Sequence, residues 1–115
     1  MPLAKLEKLI LKELDKNKAE KVVSVDLTGK TDVADRMIVA SGTSARHVLS
    51  LADYVVMALK KEGYISVPTE GREVGDWVLV DAGDVIVHIF KPETREMYKL
   101  EKMWEFAIPE AEIDL

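Results

Sequence analysis

The chain has 115 residues and carries 16 Lys and Arg against 21 Asp and Glu, which gives a net charge of −5. This length suits one domain, and the absence of cysteine excludes a disulfide framework and thiolate metal ligands. The lysines near the N-terminus are interleaved with acids, so no clean basic stripe is predicted. Direct nucleic-acid binding is therefore disfavoured as the main activity.

Neither a membrane span nor a targeting segment is predicted. No apolar run approaches the roughly 20 residues that cross a bilayer. The N-terminal stretch lacks the uninterrupted apolar core of a signal peptide, and its acids, Glu7 and Glu13, argue against a transit peptide. We therefore expect a soluble cytoplasmic protein.

Apolar periodicity predicts the element order α-β-β-α-β-β-β-α. In chain order the predicted elements are a helix over 3–16, strands over 22–27 and 36–41, a helix capped by Thr43 or Ser44 and followed by Gly63, an edge strand over 64–67, strands over 77–80 and 85–90, and a helix from Pro92 to about Phe106. This order predicts a single α/β domain over residues 1–106, with a mixed five-stranded sheet and flanking helices. An acidic C-terminal tail follows over residues 107–115.

The last two predicted strands form a hairpin with unlike faces. A turn at 81–84 places Val80 opposite Val85 and Trp77 opposite His88. Because side chains alternate along a strand, one face holds Val78, Val80, Val85, Val87 and Ile89, and the other holds Trp77, Leu79, Asp81, Asp84, Ile86, His88 and Phe90. We call the second set the mixed face. It suits contact with another molecule, although the last helix of the same chain is an alternative cover.

The turn over residues 41–47, SGTSARH, is a candidate phosphate site because helix N-termini present backbone N–H groups to anions. It lacks the spacing of known phosphate loops, and helix capping explains its glycine and hydroxyls equally well. Capping does not explain Arg46 and His47, because a cation in the first turn opposes the helix dipole. These two residues are predicted to face an anion or a partner.

Catalysis and metal binding find little support. Nucleotidyl transfer needs two carboxylates at alternate strand positions, but Asp81 and Asp84 flank a turn, and Asp32 and Asp35 lie in a loop. The chain has two histidines, His47 and His88, and no cysteine, so a zinc site is disfavoured. No catalytic residue, metal or cofactor is predicted.

The aromatic residues divide between interface and core. Trp, Tyr and Arg dominate interface hot spots, so Trp77, Arg95 and Tyr98 are predicted at an interface. Trp104 follows the apolar side of the last predicted helix and is assigned to the core.

Several ordered motifs resemble the Iojap family, also called the ribosomal silencing factor family. They are Asp35, ASGTSARHV (Ala40–Val48), Glu70-Gly71, WVLVDAGDVIVHIF (Trp77–Phe90), Arg95, Tyr98 and LEKMW (Leu100–Trp104). The resemblance implies a nucleotidyltransferase-like fold without catalytic acids, and a factor that is not an enzyme. It also implies binding to the large ribosomal subunit through its protein fourteen (uL14). Occupying that site would block joining of the ribosomal subunits and repress translation, particularly under nutrient limitation.

The resemblance also implies positions for partner contact. Carried onto this chain, they are Trp77, Leu79, Asp81, His88, Arg95 and Tyr98, followed by Glu70, Arg46 and His47. Members of the family are also seen as homodimers, so a homodimer is expected as a further partner. Two other functions stay open at this point: a nucleotide-binding or nucleotidyltransferase-like enzyme that uses the turn at Gly42–Ser44, and a pure homodimerisation module. The tail over 107–115 matches no motif.

Overall fold

Three helices and five strands lie within residues 1–100, the part of the chain that the computed structural model describes. In chain order they are α1 (Leu3–Lys16), β1 (Glu20–Asp26), β2 (Arg36–Ser41), α2 (Ala45–Lys61), β3 (Thr69–Glu70), β4 (Trp77–Asp81), β5 (Val85–Phe90) and α3 (Pro92–Tyr98). No helix in this part of the chain is both long and apolar enough to cross a membrane.

The strands form one mixed sheet in the order β1-β2-β5-β4-β3. The central pair, β2 and β5, is parallel, and each remaining neighbouring pair is antiparallel. It follows that β2 and β3 run in the same direction with two strands between them, so α2 and the loop after it carry the chain to the sheet edge. The predicted α/β class with a mixed five-stranded sheet is confirmed.

The aliphatic face of the hairpin forms the main core. Its five residues, Val78, Val80, Val85, Val87 and Ile89, are all fully buried, and they pack against α1 and α2. Leu6, Ile10 and Leu14 supply the buried side of α1. Burial of one such side chain is worth about 1.5–3 kcal/mol, so this layer fixes both helices on one side of the sheet.

The turn between β4 and β5 lies one residue later than predicted. The N–H of Ala82 donates to the carbonyl of Val85 at 3.0 Å, and Gly83 adopts a φ of 83°. A glycine with positive φ at the first central position is typical of a type II′ hairpin turn. Asp84 therefore lies in the turn and not on the mixed face, and Trp77 pairs with Phe90 instead of His88. The two faces are unchanged by this correction, because each β4 residue pairs with a β5 residue two positions later than predicted, and a shift of two keeps side chains on the same face.

The edge strand predicted over 64–67 is wrong. Those residues are not in a strand, and the edge strand is the two-residue β3, which the sequence placed in a loop. Pro68 accounts for part of the difference, because its carbonyl accepts from the N–H of Asp81 and so begins the pairing at the residue before β3. A strand of two residues carries too little periodicity to be recognised.

The last predicted helix is interrupted at Lys99. α3 ends at Tyr98, Lys99 takes left-handed backbone angles (φ 49°, ψ 45°), and Leu100 is again helical. The remainder of the predicted helix, Trp104 and the tail over 107–115 lie outside residues 1–100.

The lysines of α1 lie along one side of the helix, and one exposed acid, Asp15, lies beside them, three residues after Lys12. Lys5, Lys8, Lys12 and Lys16 are all exposed and recur every three or four residues, which places them on one side of the helix. Glu7 points elsewhere and forms an ion pair with Arg36 at 3.5 Å.

Candidate functional site

One part of the mixed face is buried, and the other part is partly exposed. At the β1–β2 side, a second apolar cluster contains Val25, Leu27, Met37, Val39 and Phe90, with Trp77 and Leu100 packed against it. Nearer β4, Trp77, Leu79, Asp81, Ile86 and His88 are all half-buried. This half-buried set is the part of the mixed face that a partner can reach within the described structure.

Trp77 lies at the centre of an aromatic cluster. Its ring centroid is 4.9 Å from that of Phe90, 4.8 Å from Tyr98 and 5.7 Å from His88. The indole Nε1–H donates a hydrogen bond to Nδ1 of His88 at 2.9 Å. Because the ring is held on three sides and its N–H is satisfied, the indole presents a fixed surface at low entropic cost.

His88 is a neutral imidazole with a directed donor. Burial lowers the pKa of His88 from 6.5 to about 4. Nδ1 accepts the hydrogen bond from the indole, so the remaining ring proton is on Nε2. Within residues 1–100 no hydrogen-bond acceptor meets that Nε2–H. A half-buried donor without an acceptor favours a partner that supplies an oxygen.

The short helix α3 borders this surface and leaves two large side chains exposed. Tyr98 stacks on Trp77 yet is 50% exposed, and the neighbouring Met97 is 76% exposed. They extend the apolar surface beyond the sheet. The helical spacing of Met97 predicts a buried position on the apolar side of the last helix, and this prediction is wrong.

Arg95 differs from the other predicted contact residues. Its side chain is only 8% exposed, and Nη1 donates to the hydroxyl of Ser41 at 2.9 Å. Ser41 ends β2 and is itself buried, so this hydrogen bond ties α3 to the sheet. In this conformation Arg95 holds the helix that carries Tyr98 and does not itself face solvent.

Asp81 and Glu70 lie at the two ends of the half-buried surface. One carboxylate oxygen of Asp81 accepts from the N–H of Gly83 at 2.8 Å, which stabilises the hairpin turn. Glu70 is exposed and pairs with Leu79 across β3 and β4. Together with Gly71, Trp77 and Leu79 it lines a shallow hollow of about 250 Å³ at the sheet edge.

Gly71, which was not predicted as a site residue, lies against the backbone of β4. Its φ is +86°, and a Cβ at this position would lie 2.0 Å from the carbonyl oxygen of Trp77. The backbone of β4 therefore approaches the chain at Gly71 more closely than any side chain permits. In the sequence, the Glu70-Gly71 pair could have indicated this close approach, but a glycine in a loop is also common in ordinary turns.

Arg46 and His47 lie apart from the mixed face, at the start of α2. Ser44 caps the helix with its hydroxyl, which accepts from the N–H of His47 at 3.1 Å. The ring of His47 accepts from the N–H of Thr43 at 2.9 Å through Nδ1, and its Nε2 is 3.0 Å from the carbonyl oxygen of Asn17. His47 thus joins the end of α1 to the start of α2, whereas Arg46 is exposed.

No group of three or more His, Cys, Asp or Glu side chains that could hold a metal ion occurs among residues 1–100. The turn at Gly42–Ser44 is tightly packed: a Cβ on Gly42 would lie 2.9 Å from the backbone nitrogen of Val48.

Comparison with known proteins agrees with this geometry. The family model described as "Ribosomal silencing factor during starvation" matches residues 2–115. The chain belongs to the ribosomal silencing factor family. A ribosomal silencing factor from Zymomonas mobilis is 44% identical over 102 residues, which cover 88% of this chain and 76% of that protein. The resemblance inferred from the motifs is thereby confirmed.

The family includes more distant and structurally known proteins. The mouse protein "Mitochondrial assembly of ribosomal large subunit protein 1" is 31% identical over 101 residues, which cover 84% of this chain and 43% of the mouse protein. A crystal structure of a Chromobacterium violaceum protein superposes with a TM-score of 0.87 at 40% identity, covering 91% of this chain and 88% of that chain. The ribosomal silencing factor fold is therefore the one described above.

Proposed function

We propose that this protein docks its mixed face on uL14 of the large ribosomal subunit, and that the bound protein sterically blocks joining of the subunits and represses translation. The observation that carries this proposal is the half-buried aromatic cluster around Trp77, next to the Nε2–H of His88, which meets no acceptor among residues 1–100. Membership of the silencing factor family supports a role at the ribosome, and the name of the mouse relative supports the large subunit.

The chemistry of the surface fits a protein partner. Buried or half-buried Trp and Tyr side chains, surrounded by residues that exclude water, are typical of interface hot spots. Trp77 acts as the anchor, and Leu79 and Tyr98 extend the apolar contact. The net charge of −5 favours a basic partner, and Asp81 is the carboxylate at this surface that pairs with a partner cation.

Arg95, Glu70, Arg46 and His47 take different parts in the proposal. Arg95 positions α3, and with it Tyr98, through Ser41. Glu70 borders the hollow beside Trp77 and forms the rim of the docking surface. Arg46 and His47 lie at the start of α2, which packs on the opposite side of the sheet, so they are not part of the same contact.

The mechanism needs no catalysis. A factor that covers the docking surface of the large subunit acts by exclusion, and affinity alone sets how much of the subunit is blocked. The alternative nucleotide-binding function at Gly42–Ser44 has little support, because the hydroxyl of Ser44 and the N–H of Thr43 already bond to His47. A homodimer through the mixed face would hide Trp77 and compete with the ribosome for this surface.

Co-sedimentation with isolated large subunits tests the proposal. Truncation of Trp77 to Ala is expected to weaken binding by about 2–4 kcal/mol, or roughly 30- to 1000-fold. Met57→Ala is the matched control, because Met57 is a 54% exposed apolar residue on α2, on the other side of the sheet. Circular dichroism checks that each variant is folded.

Equal co-sedimentation of wild type and Trp77→Ala would remove Trp77 from the binding surface. Light scattering on the same proteins separates docking from dimerisation. If the wild type is a dimer that Trp77→Ala converts to a monomer while ribosome binding is unchanged, the mixed face is a dimer interface instead.

A further inference from the structure

A row of lysines on α1 forms a second surface, on the other side of the sheet from the mixed face. Lys5, Lys8, Lys12 and Lys16 are exposed and follow one another at intervals of three or four residues. At a rise of about 1.5 Å per residue, the row is roughly 16 Å long. The opposite side of α1 packs in the core through Leu6, Ile10 and Leu14, so the lysines point away from the sheet.

These lysines are free to contact a partner. Within residues 1–100 none of the four forms an ion pair with Asp or Glu. Of the acids of α1, Glu7 contacts Arg36 and accepts a hydrogen bond from the hydroxyl of Ser24, whereas the exposed Asp15 lies between Lys12 and Lys16 along the chain. Glu62 lines a hollow beside Lys5, Lys8 and Lys12, so two acids, Asp15 and Glu62, remain near the row.

Helix formation does not explain the row. The first turn of α1 contains no acid, although acids there would favour the helix dipole, and Lys5 occupies the end where a cation is unfavourable. Lys8 and Lys12, and also Lys12 and Lys16, are like charges four residues apart, which destabilise a helix. Lys16 in the last turn does favour the helix dipole, so helix stability leaves Lys5, Lys8 and Lys12 without an explanation.

The row leads into an open groove that contains an exposed aromatic ring. This groove of about 580 Å³, between the end of α1 and the start of α2, is lined by residues that include Lys16, Lys18, Tyr54 and one acid, Glu20. The side chain of Tyr54 is 44% exposed. Cations in a row, followed by an exposed aromatic ring, are the elements with which proteins hold a single nucleic-acid strand.

The chemistry distinguishes between possible occupants. Lysine is depleted at protein–protein interfaces, whereas it is a common phosphate ligand. An anionic membrane would require a free apolar side on α1, but that side is buried in the core. A linear chain of phosphates therefore fits the row better than a protein or a bilayer.

We propose that α1 and the adjoining groove bind a single strand of RNA, with the four lysines on successive phosphates and Tyr54 stacked on a base. The choice of RNA rests on the proposed function, because it places the protein on a ribosome. The contact is secondary to protein docking, since the net charge of −5 opposes nucleic acid at long range. As α1 and the mixed face lie on opposite sides of the sheet, both surfaces can be occupied at once.

Fluorescence anisotropy with a short labelled single-stranded RNA of mixed sequence tests the proposal. Between about 25 and about 200 mM KCl, four phosphate contacts give a slope of log K against log salt of roughly −3. Changing Lys8 and Lys12 to Gln together is expected to reduce the slope by about 1.4 and to weaken binding about tenfold or more at low salt. Tyr54→Ala is expected to weaken binding roughly fivefold or more with an unchanged slope.

The matched control changes Lys30 and Lys99 to Gln, because it removes the same two charges away from α1. Its binding is expected to stay within about twofold of wild type. Equal weakening by both double variants, or no RNA binding by wild type at the lowest salt, would overturn the proposal. Trp77→Ala is expected to keep RNA binding. If Trp77→Ala loses subunit binding while the wild type binds no RNA, docking through the mixed face stands and the RNA proposal fails.

Discussion

The indole N–H of Trp77 donates to Nδ1 of His88 at 2.9 Å, and this contact couples the anchor of the mixed face to the protonation state of a histidine. The two residues are diagonal neighbours on β4 and β5, because Trp77 pairs with Phe90 and Leu79 with His88. The hydrogen bond exists only while Nδ1 carries a lone pair, that is, while the imidazole is neutral. Any change that protonates His88 therefore also releases Trp77.

Replacement of Trp77 by Phe is expected to lower the free energy of unfolding by about 1–3 kcal/mol. The aromatic ring remains, but Nδ1 of His88 is left as a half-buried acceptor without a donor. Urea denaturation measures the change. The double variant Trp77→Phe with His88→Phe removes both partners, so it is expected to be less destabilised than the sum of the two single changes. Additive effects would show that the hydrogen bond contributes nothing.

The stability of the protein is expected to fall as the pH is lowered from about 6.5 to about 4. In this window the unfolded chain protonates His88, whereas the folded chain keeps it neutral, so the unfolded state binds more protons and is favoured by acid. The full contribution is on the order of 3 kcal/mol, present above pH 6.5 and lost towards pH 4.

Urea denaturation at a series of pH values, repeated with His88→Gln, isolates this effect. Carboxylates titrate in both proteins, so the difference between the two pH profiles belongs to His88. Parallel profiles would mean that the pKa of His88 is not lowered by the fold.

Gly71→Ala is expected to destabilise the protein by about 3 kcal/mol or more. The new Cβ would lie 2.0 Å from the carbonyl oxygen of Trp77, so β3 and β4 must separate, in addition to the cost of a positive φ. Gly83→Ala is the control, because Gly83 has a φ of +83° with no atom within 4 Å of the added Cβ. The control is expected to lose about 1–2 kcal/mol. Thermal denaturation compares them, and equal losses would exclude a role for the close approach.

Ser44→Ala is expected to cost about 1 kcal/mol of stability, because the hydroxyl caps α2. The same residue tests the nucleotide alternative. If the turn only caps the helix, ATP or CTP with Mg²⁺ leaves the melting temperature of the wild type unchanged. A rise in melting temperature that Ser44→Ala abolishes would instead support nucleotide binding at Gly42–Ser44.

Much of the fold follows from local pattern. The two helices with long apolar sides, and the strands β2, β4 and β5, were predictable because each repeats its period over several residues. The two-residue β3 offers no such period, and its neighbour Ile65 is β-branched yet 96% exposed, which shows that propensity alone misplaced the edge strand. The interruption of the last helix at Lys99 was also hidden, because Lys99 is an ordinary helix former that takes a left-handed conformation here.

The sequence predicted which residues belong to the candidate site better than it predicted the contacts that they make. Trp77, Leu79 and His88 were placed on one face correctly, since parity along a strand does not depend on the exact register. The roles of Arg95 and His47 were not predictable, because each bonds to a residue far away in the sequence, Ser41 and Asn17 respectively.

The sequence by itself determined that one hairpin has an aliphatic face and a mixed face, and its motifs indicated the family. Only the tertiary structure decided how deeply Trp77 is buried, which ring nitrogen of His88 carries the proton, and that Glu7 pairs with Arg36 and not with the lysines of α1. The physical reason is how far apart along the chain the interacting residues lie. Alternation and helical period act between neighbours in the chain, whereas burial, hydrogen bonding and the grouping of charges depend on residues that meet only when the sheet and helices pack together.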